Sequence, residues 1–561
     1  MAFGATEDSA AAGTSSVESR RGLLIGLALA VWFGVAAHGL DTNGATLDMG
    51  EFLSNPVRML YGELPYRDFW LVTAPGEVLL PAWLYQLGLD MNGVKRVMAA
   101  VSVLAGLMAF AVARRLLKSD LAATLVACLV FFDGLTYHHQ GFRYIHVYLV
   151  AVLAAFGCLL HFWSSGRRRS LFACGLLLGV GMSFRLFYAG GAAAACFLTL
   201  AWESRRRGDP PGSMFRNLGA LASGVLVVLA GVSLLLADVL PEMGWSVLVE
   251  SVAHGSVRSA GGYLELLIEA GRSLASTAGA LFLGAPGGLW VKAVGSLEEL
   301  LTRLLPFLVV ALFSVWSRAT RSAASGPHPP PAVRAGLWTL LIWGGILFLR
   351  GFTRGSIQKI AHATTPLFFI LVFLWREFRR LGNESGKRSH RLAASVLFVF
   401  VLGFGLHWAA VTYEQIESRI HLRPVVRGPY GKLYMSNRAN AADAQRVIDL
   451  VTAKTREGDF LFATPKKAPV FYALTRRRNP TRYDSLIDLV YRPSEAAQRE
   501  VCGALVGHPT ALVVHSRSWG FGSDPALQFD RTCPILNDCI EREFEPLAQV
   551  GEYEVLRSRG P

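Results

Sequence analysis

The sequence predicts an all-α polytopic membrane bundle of about eleven transmembrane helices, followed by a C-terminal soluble α/β domain. Of the 561 residues, 52% are hydrophobic and 17% are charged, whereas a soluble protein carries about 25% charged residues. The deficit is concentrated in long apolar runs, which are typical of membrane-spanning helices. After about residue 413 the composition becomes that of an ordinary soluble protein.

The apolar runs define a membrane domain over residues 20–412. Residues 1–19 are rich in Ala, Ser, Gly and Thr and predict a disordered N-terminus. Arg20 and Arg21 then precede the first apolar run. We place the eleven spans near 22–40, 94–113, 120–135, 144–163, 171–184, 187–202, 217–238, 304–318, 335–350, 362–376 and 392–412.

Basic residues between the spans predict the orientation. Clusters such as Arg114-Arg115, Arg167–Arg169 and Arg205–Arg207 follow the even-numbered spans. Because cytoplasmic loops are enriched in Lys and Arg, these breaks are expected to be cytoplasmic, with the N-terminus on the same side. The formal charge of +14 is explained by these breaks, so it does not favour nucleic-acid binding.

Two long segments are then expected on the outer side of the membrane. They are the first outer loop, 41–93, and a second large outer loop, 239–303. Within the first loop, the apolar stretch 76–89 predicts a helix that lies at the interface, since another span would break the alternation of basic loops.

The C-terminal domain, 413–561, is expected to be extracytoplasmic. Its pattern predicts a helix over 441–454 capped by Asn440, and strands at 459–463, 511–515 and 551–556. Export would allow a disulfide among Cys502, Cys533 and Cys539, with at least one of the three remaining free.

Carboxylates directly after the first span are the strongest functional signal. Asp41, Asp48 and Glu51 follow that span, and Asp48 and Glu51 share a face if a helix begins there. Burial at a membrane boundary raises a carboxyl pKa and makes the group a better general base. The alternative is that these acids only cap or solvate a loop.

Two further acids belong to the same outer side. Asp133 ends the third span and is a candidate second acid or cation ligand, with a simple Asp-Gly turn as the alternative. Asp68 is expected to pair with Arg67 or another neighbour and to hold the loop.

Cations on the outer side are candidates for binding a phosphate. Arg354, Lys359 and His362 lie between the ninth and tenth spans, and Arg185 lies between the fifth and sixth. Arg at bilayer depth costs about 3 kcal/mol, a cost that anion binding offsets. The alternative is contact with lipid headgroups at helix ends. The spacing of Cys and His predicts no metal site.

Several segments resemble a known family. The acids after the first span, the segment GELPYRDFW…APG and the pair Lys95-Arg96 are similar to bacterial membrane glycosyltransferases of the C-type (GT-C) fold. Within that fold they resemble the protein O-mannosyltransferase and aminoarabinose transferase group, of the family 39 or 83 kind. HATTPLFFIL and the tail segment FYALTRRRNPTRYD are similar to later segments of that group.

The resemblance implies an inverting transferase of a bacterial inner membrane. Its donor would be a polyprenyl-phosphate sugar and its acceptor a hydroxyl of a glycan, lipid or protein. Asp48 would be the general base, with Asp41 or Glu51 as the alternative. Metal use varies across the superfamily. The resemblance is therefore compatible with an enzyme that has no cofactor and with one that binds a divalent cation. The sequence departs from the group in lacking a side-by-side Asp-Glu pair and in having Arg185 where a lysine is expected.

Two other functions fit a polytopic chain. A ligase or polymerase of lipid-linked glycans would depend on outer arginines more than on an acid after the first span. A lipid or sugar transporter would show matched halves with broken helices, and the sequence has no such repeat.

Overall fold

A computed structural model of the chain describes most of its residues. They are residues 7–40, 47–71, 74–136, 145–239, 288–322, 329–354, 363–420, 424–435, 438–464, 468–483, 494–508, 510–515 and 528–559, with single positions at 241, 268 and 272.

The predicted all-α bundle is confirmed, and each of the eleven predicted spans overlaps an observed helix. These helices are α1 (Glu7–Leu40), α4 (Met91–Leu117), α5 (Asp120–Thr136), α6 (Ile145–Ser165), α7 (Arg168–Phe184), α8 (Leu186–Arg207), α9 (Pro211–Leu235), α10 (Gly288–Ser322), α11 (Pro331–Arg354), α12 (Thr364–Ser385) and α13 (Arg388–Ile420). The two missing numbers belong to α2 (Leu47–Leu60) and α3 (Gly76–Gln86), which lie in the predicted first outer loop.

Eight of the helices in the described ranges are long and apolar enough to cross a membrane, so the chain is a multi-pass membrane protein. The helices α5 and α7, of 17 residues each, are shorter than these eight. In α12 an apolar first half is followed by Arg376, Glu377 and Arg379. The three helices α5, α7 and α12 nevertheless pack in the same bundle as their longer neighbours, since their apolar residues belong to one continuous core.

The C-terminal domain is the predicted α/β unit. A hairpin of β1 (Val425–Gly428) and β2 (Gly431–Tyr434) comes first. A second sheet has the order β3-β4-β6-β5, in which β3 and β4 are parallel and the other pairs antiparallel. After the hairpin, the elements of the domain in chain order are α14 (Arg438–Lys454), β3 (Phe460–Ala463), α15 (Ala468–Thr475), α16 (Glu495–Gly507), β4 (Thr510–His515), α17 (Phe529–Thr532), α18 (Pro534–Glu543), β5 (Phe544–Val550) and β6 (Tyr553–Ser558).

Two details of this domain refine the sequence predictions. The helix α14 begins at Arg438, so Asn440 lies inside its first turn and the predicted cap at Asn440 is wrong. Cys502 and Cys539, which are 37 positions apart in sequence, form a disulfide. Cys533 is a buried free thiol, and burial raises its pKa to about 11. One disulfide with one free cysteine is the arrangement that the odd number of cysteines predicts.

Candidate functional site

The helix α2 carries two of the three predicted catalytic acids. Asp48 and Glu51 are three residues apart in Leu47–Leu60, so the helical turn predicted there is present and both lie on one face of its backbone. Their side chains, and Asp41 as a whole, lie outside the described part of the structure. Asp133 lies in the last turn of α5, and its side chain is likewise outside the described part.

The other end of α2 is fixed by Arg58, which is buried. Its Nε atom donates to Oε2 of Glu63 at 2.5 Å, and its Nη atoms donate to the backbone oxygens of Thr481 and Asp68 at 2.9 and 3.0 Å. The guanidinium also lies 5.0 Å from the centre of the Phe69 ring. Arg58 therefore joins α2, the following loop and the C-terminal domain.

Glu63 extends this connection to a second arginine. Its Oε1 accepts a hydrogen bond from Nε of Arg478 at 2.9 Å. The Arg478 guanidinium packs on the Phe460 ring at 4.6 Å. The backbone N–H of Trp70 also donates to the carbonyl of Arg482 at 2.6 Å. The buried carboxylate is thus shared by a cation of α2 and a cation of the C-terminal domain.

The loop after α2 is held by the pair predicted from sequence. Asp68 accepts from Arg67 at 2.7 Å and from the backbone N–H of Leu64 at 2.8 Å. The hydrogen bond from Arg67 holds the pKa of Asp68 below its usual value. Tyr66 has a φ of 70°, a left-handed conformation that these contacts stabilise.

A second contact with the C-terminal domain surrounds Glu457. It accepts hydrogen bonds from the hydroxyls of Tyr61, at 3.2 Å, and Tyr430. Burial opposes its charge, but these hydrogen bonds and the nearby charge of Arg476 hold the pKa of Glu457 below its usual value. The carbonyl of Tyr430 accepts from the backbone N–H of Met91 at 3.1 Å, which docks the start of α4 on the same domain.

A buried ion pair lies beside α3. Oε1 of Glu77 is 2.9 Å from Nε of Arg185. Arg185 is the single non-helical residue between α7 and α8, with φ −146° and ψ 82°. The start of α3 reaches it because Gly76 has no side chain: a Cβ there would lie 2.6 Å from the backbone oxygen of Ser183.

Arg350 approaches the same place from α11. Its guanidinium lies 3.8 Å from the centre of the Phe187 ring and 5.2 Å from that of Tyr188. The guanidinium of Arg185 lies 5.9 Å from the Tyr188 ring. Two arginines from different helices therefore share one aromatic side chain, next to a single described carboxylate, Glu77.

The sequence-predicted cations are described to different extents. Arg185 is placed in full. Arg354 is the last residue of α11, one helical turn after Arg350, but its side chain is outside the described part. Lys359 and His362 lie wholly outside the described residues.

The helix α3 links the acid-bearing helix to the arginines. The Tyr85 hydroxyl at its end donates to the carbonyl of Leu53 in α2 at 3.3 Å. Its other end carries Glu77 and contacts Arg185. The 11-residue helix α3 thus lies between the two groups of predicted site residues and contacts an element of each group.

Several residues of this region were missed as site residues in the sequence. Arg58, Glu63 and Arg478 form the buried connection described above, and Lys95, in the first turns of α4, is also buried. The signal for the tail residues was the dense cluster Arg476-Arg477-Arg478. A pairing of residues 63 and 478 has no local signature.

The residues that the structure describes hold no group of three or more His, Cys, Asp or Glu side chains that could bind a metal ion. The side chains of Asp41, Asp48, Glu51 and Asp133 are not among those described.

Comparison with known proteins gives likenesses of fold. Neither a protein-family model nor a curated protein matches the chain. ArnT of Cupriavidus metallidurans is similar over 95% of this chain and 97% of its own when bound to undecaprenyl phosphate, with a TM-score of 0.49 and 14% identity. The apo state of the same protein is similar over 96% of this chain and 98% of its own, with a TM-score of 0.49 and 15% identity.

An archaeal enzyme supports the assignment of the fold. The apo oligosaccharyltransferase of Archaeoglobus fulgidus is similar over 93% of this chain and 73% of its own, with a TM-score of 0.50 and 11% identity. At this identity the similarity concerns the arrangement of helices and not the reaction. The chain has the GT-C fold of membrane glycosyltransferases, as the resemblance in its sequence predicts.

Proposed function

We propose that this protein is a membrane glycosyltransferase that moves a sugar from a polyprenyl-phosphate donor to an acceptor hydroxyl on the outer face of a bacterial inner membrane. The observation that carries the proposal is the position of α3, which contacts the acid-bearing helix α2 through Tyr85 and Leu53 and contacts Arg185 through Glu77. A transferase needs its general base and its phosphate-binding cation on one side of the membrane, and α3 supports that arrangement because it contacts both α2 and Arg185.

The reaction assigns one role to each group. Asp48 takes the proton of the acceptor hydroxyl, whose oxygen attacks the anomeric carbon. The bond from that carbon to the phosphate oxygen breaks, and the phosphate leaves on its lipid with the bonding electrons. Attack from the face opposite to the leaving group inverts the anomeric carbon. Asp41 and Glu51 are the alternative bases, and Asp133 is the candidate second acid.

The leaving phosphate requires donors that spread its negative charge. Arg185 is oriented by Glu77, which lies 2.9 Å from its Nε atom, and its guanidinium supplies planar, charged N–H donors of the kind that bind phosphate. Arg350 adds a second cation at the same Tyr188 ring. Arg354, Lys359 and His362 follow in the chain and complete the phosphate-binding set. A divalent cation, if bound, would be held by acids such as Asp133 and would help to neutralise the leaving phosphate.

Orientation follows from charge and from the disulfide. The basic breaks place the N-terminus in the cytoplasm. The Cys502–Cys539 disulfide is suited to the oxidising side of a bacterial inner membrane. Both arguments support an outer position for the C-terminal domain and α2, where the donor sugar would be used.

Transfer from a radiolabelled polyprenyl-phosphate sugar by purified protein tests the proposal. Release or transfer of the sugar is expected, and Asp48→Asn is expected to abolish it with folding intact. Asp209→Asn, in the loop between α8 and α9 at the opposite end of the bundle, is the matched control and should retain full activity. Binding of the lipid with no turnover would instead support transport.

A further inference from the structure

A large cavity lies at the end of the bundle opposite to the C-terminal domain. The helix α4 docks on that domain through Met91 and ends 27 residues later at Leu117, which places its two ends roughly 40 Å apart. A cavity of about 1770 Å³ opens at the Leu117 end, between α1, α4, α5, α6, α11 and α12. It is separate from the proposed site of sugar transfer.

The charged part of this cavity is strongly basic. Its described lining includes five cations and one carboxylate, Asp120. Asp120 pairs with Arg114 at 2.8 Å and with Arg21 at 3.3 Å, which leaves an excess of positive charge. The five cations are Arg21, Arg114, Arg115, Lys118 and Arg376.

The rest of the wall is apolar. The helix α1 contributes Leu23 and Leu27, which are 65% and 55% exposed. The helix α4 contributes Leu107 and Phe110 from the turns before Arg114. Along α1 and α4, the apolar wall of the cavity is therefore continuous with its cationic end. The acyl chain and the charged headgroup of a lipid are arranged in the same way.

A second cavity adds to the positive potential. It measures about 980 Å³ and shares Arg115 and His161 with the first. Its described lining includes Arg167, Arg168 and Arg169 and no carboxylate. The two cavities meet at Arg115, which lies at the centre of the basic region.

We propose that this paired cavity is a binding site for an anionic phospholipid, with the headgroup phosphate at Arg115 and Lys118 and an acyl chain along α1 and α4. Basic pockets between transmembrane helices suit anionic headgroups. A soluble anion would be complementary to the cations alone, whereas a phospholipid matches both the cations and the adjoining apolar wall. This occupant also explains how the exposed leucines of α1 are covered in a membrane.

The test measures phosphatidylglycerol retained by the full-length protein in a neutral detergent. Delipidated protein is titrated with phosphatidylglycerol or phosphatidylcholine, and bound lipid is counted by native mass spectrometry. Phosphatidylglycerol is expected to bind in preference to phosphatidylcholine, and inorganic phosphate at the same concentration should not displace it. Equal binding of the two lipids, or displacement by phosphate, would overturn the proposal.

Variants locate the site and control for folding. Arg115→Gln with Lys118→Gln is expected to weaken phosphatidylglycerol binding by roughly tenfold or more. Arg216→Gln, on α9 and outside the lining of both cavities, should leave it unchanged. Asp120→Asn should strengthen binding because it releases Arg21 and Arg114, an effect that misfolding cannot produce. Unchanged binding in the double variant, or weaker binding in Asp120→Asn, contradicts the assignment.

Discussion

Glu63, in the loop after α2, accepts a hydrogen bond from Arg478 of the C-terminal domain at 2.9 Å, although the two residues are 415 positions apart in sequence. The same carboxylate is bound by Arg58 of α2. The helix that carries Asp48 and Glu51 is thus tied to the C-terminal domain through one buried group.

Loss of that carboxylate is expected to destabilise the protein. Glu63→Gln leaves two arginines beside a neutral side chain, and breaking a buried ion pair costs about 3 kcal/mol. Thermal unfolding in detergent should show a lower midpoint, and proteolysis should release the C-terminal domain more readily. Glu545→Gln removes the exposed pair with Arg557 and should cost less than about 1 kcal/mol. Equal effects of the two changes would exclude a special role for Glu63.

Gly76 is expected to be essential for the geometry of the arginine site. In Gly76→Ala the new Cβ would lie 2.6 Å from the Ser183 oxygen, so α3 must move and carry Glu77 away from Arg185. Such overpacking lowers the free energy of unfolding by about 2 kcal/mol. Donor binding and the thermal midpoint should both fall. Gly231→Ala, where nothing lies within 4 Å of the added Cβ, is the control: it should leave donor binding unchanged and should not lower the midpoint, since Ala is the better helix former.

Arg185 is expected to act in catalysis through its charge and its fork of donors. Arg185→Gln should lower kcat/KM by roughly 100-fold or more, as removal of a donor to a developing anion does. Arg185→Lys should retain part of the activity because the charge remains. Steady-state kinetics with the lipid-linked donor measure both. Arg205→Gln, at the opposite end of α8, is the control and should retain activity. If it reduces activity as much as Arg185→Gln does, the effect of Arg185→Gln is not specific to the phosphate-binding site.

The contact between the first loop and the C-terminal domain is expected to weaken in acid. The pKa values of Asp68 and Glu457 are lowered in the folded protein, so the unfolded chain binds more protons near their usual values of about 4. The stability they provide is present above that pH and is lost as the pH falls through the folded values. The midpoint measured from pH 6 to 3 should fall more steeply for the native protein than for Asp68→Asn with Glu457→Gln.

Reduction of the disulfide is expected to destabilise the C-terminal domain. Closure of a 37-residue loop by Cys502 and Cys539 stabilises by about 4 kcal/mol in the chain-entropy model. A reducing agent should lower the thermal midpoint of the native protein and leave Cys502→Ser with Cys539→Ser unaffected. The buried thiol of Cys533 should react with maleimide only after unfolding.

Much of the fold was predictable because it depends on local patterns. Apolar runs bounded by Arg clusters placed eleven helices, and short apolar segments placed β3, β4 and β6. The i,i+3 placement of Asp48 and Glu51 needed only the onset of a helix there. Asn440 shows the limit of such local arguments, since the helix begins two residues earlier than its capping signal.

The sequence by itself determined the membrane class and the order of the apolar helices, and it offered the cations that are candidates for phosphate binding, because hydropathy and charge act on each segment independently. Only the tertiary structure decided that Glu63 joins Arg58 to Arg478, that Gly76 lets Glu77 reach Arg185, and that Arg350 meets Arg185 at Tyr188. Those contacts join residues far apart in the chain, and the packing of several helices sets their distances together.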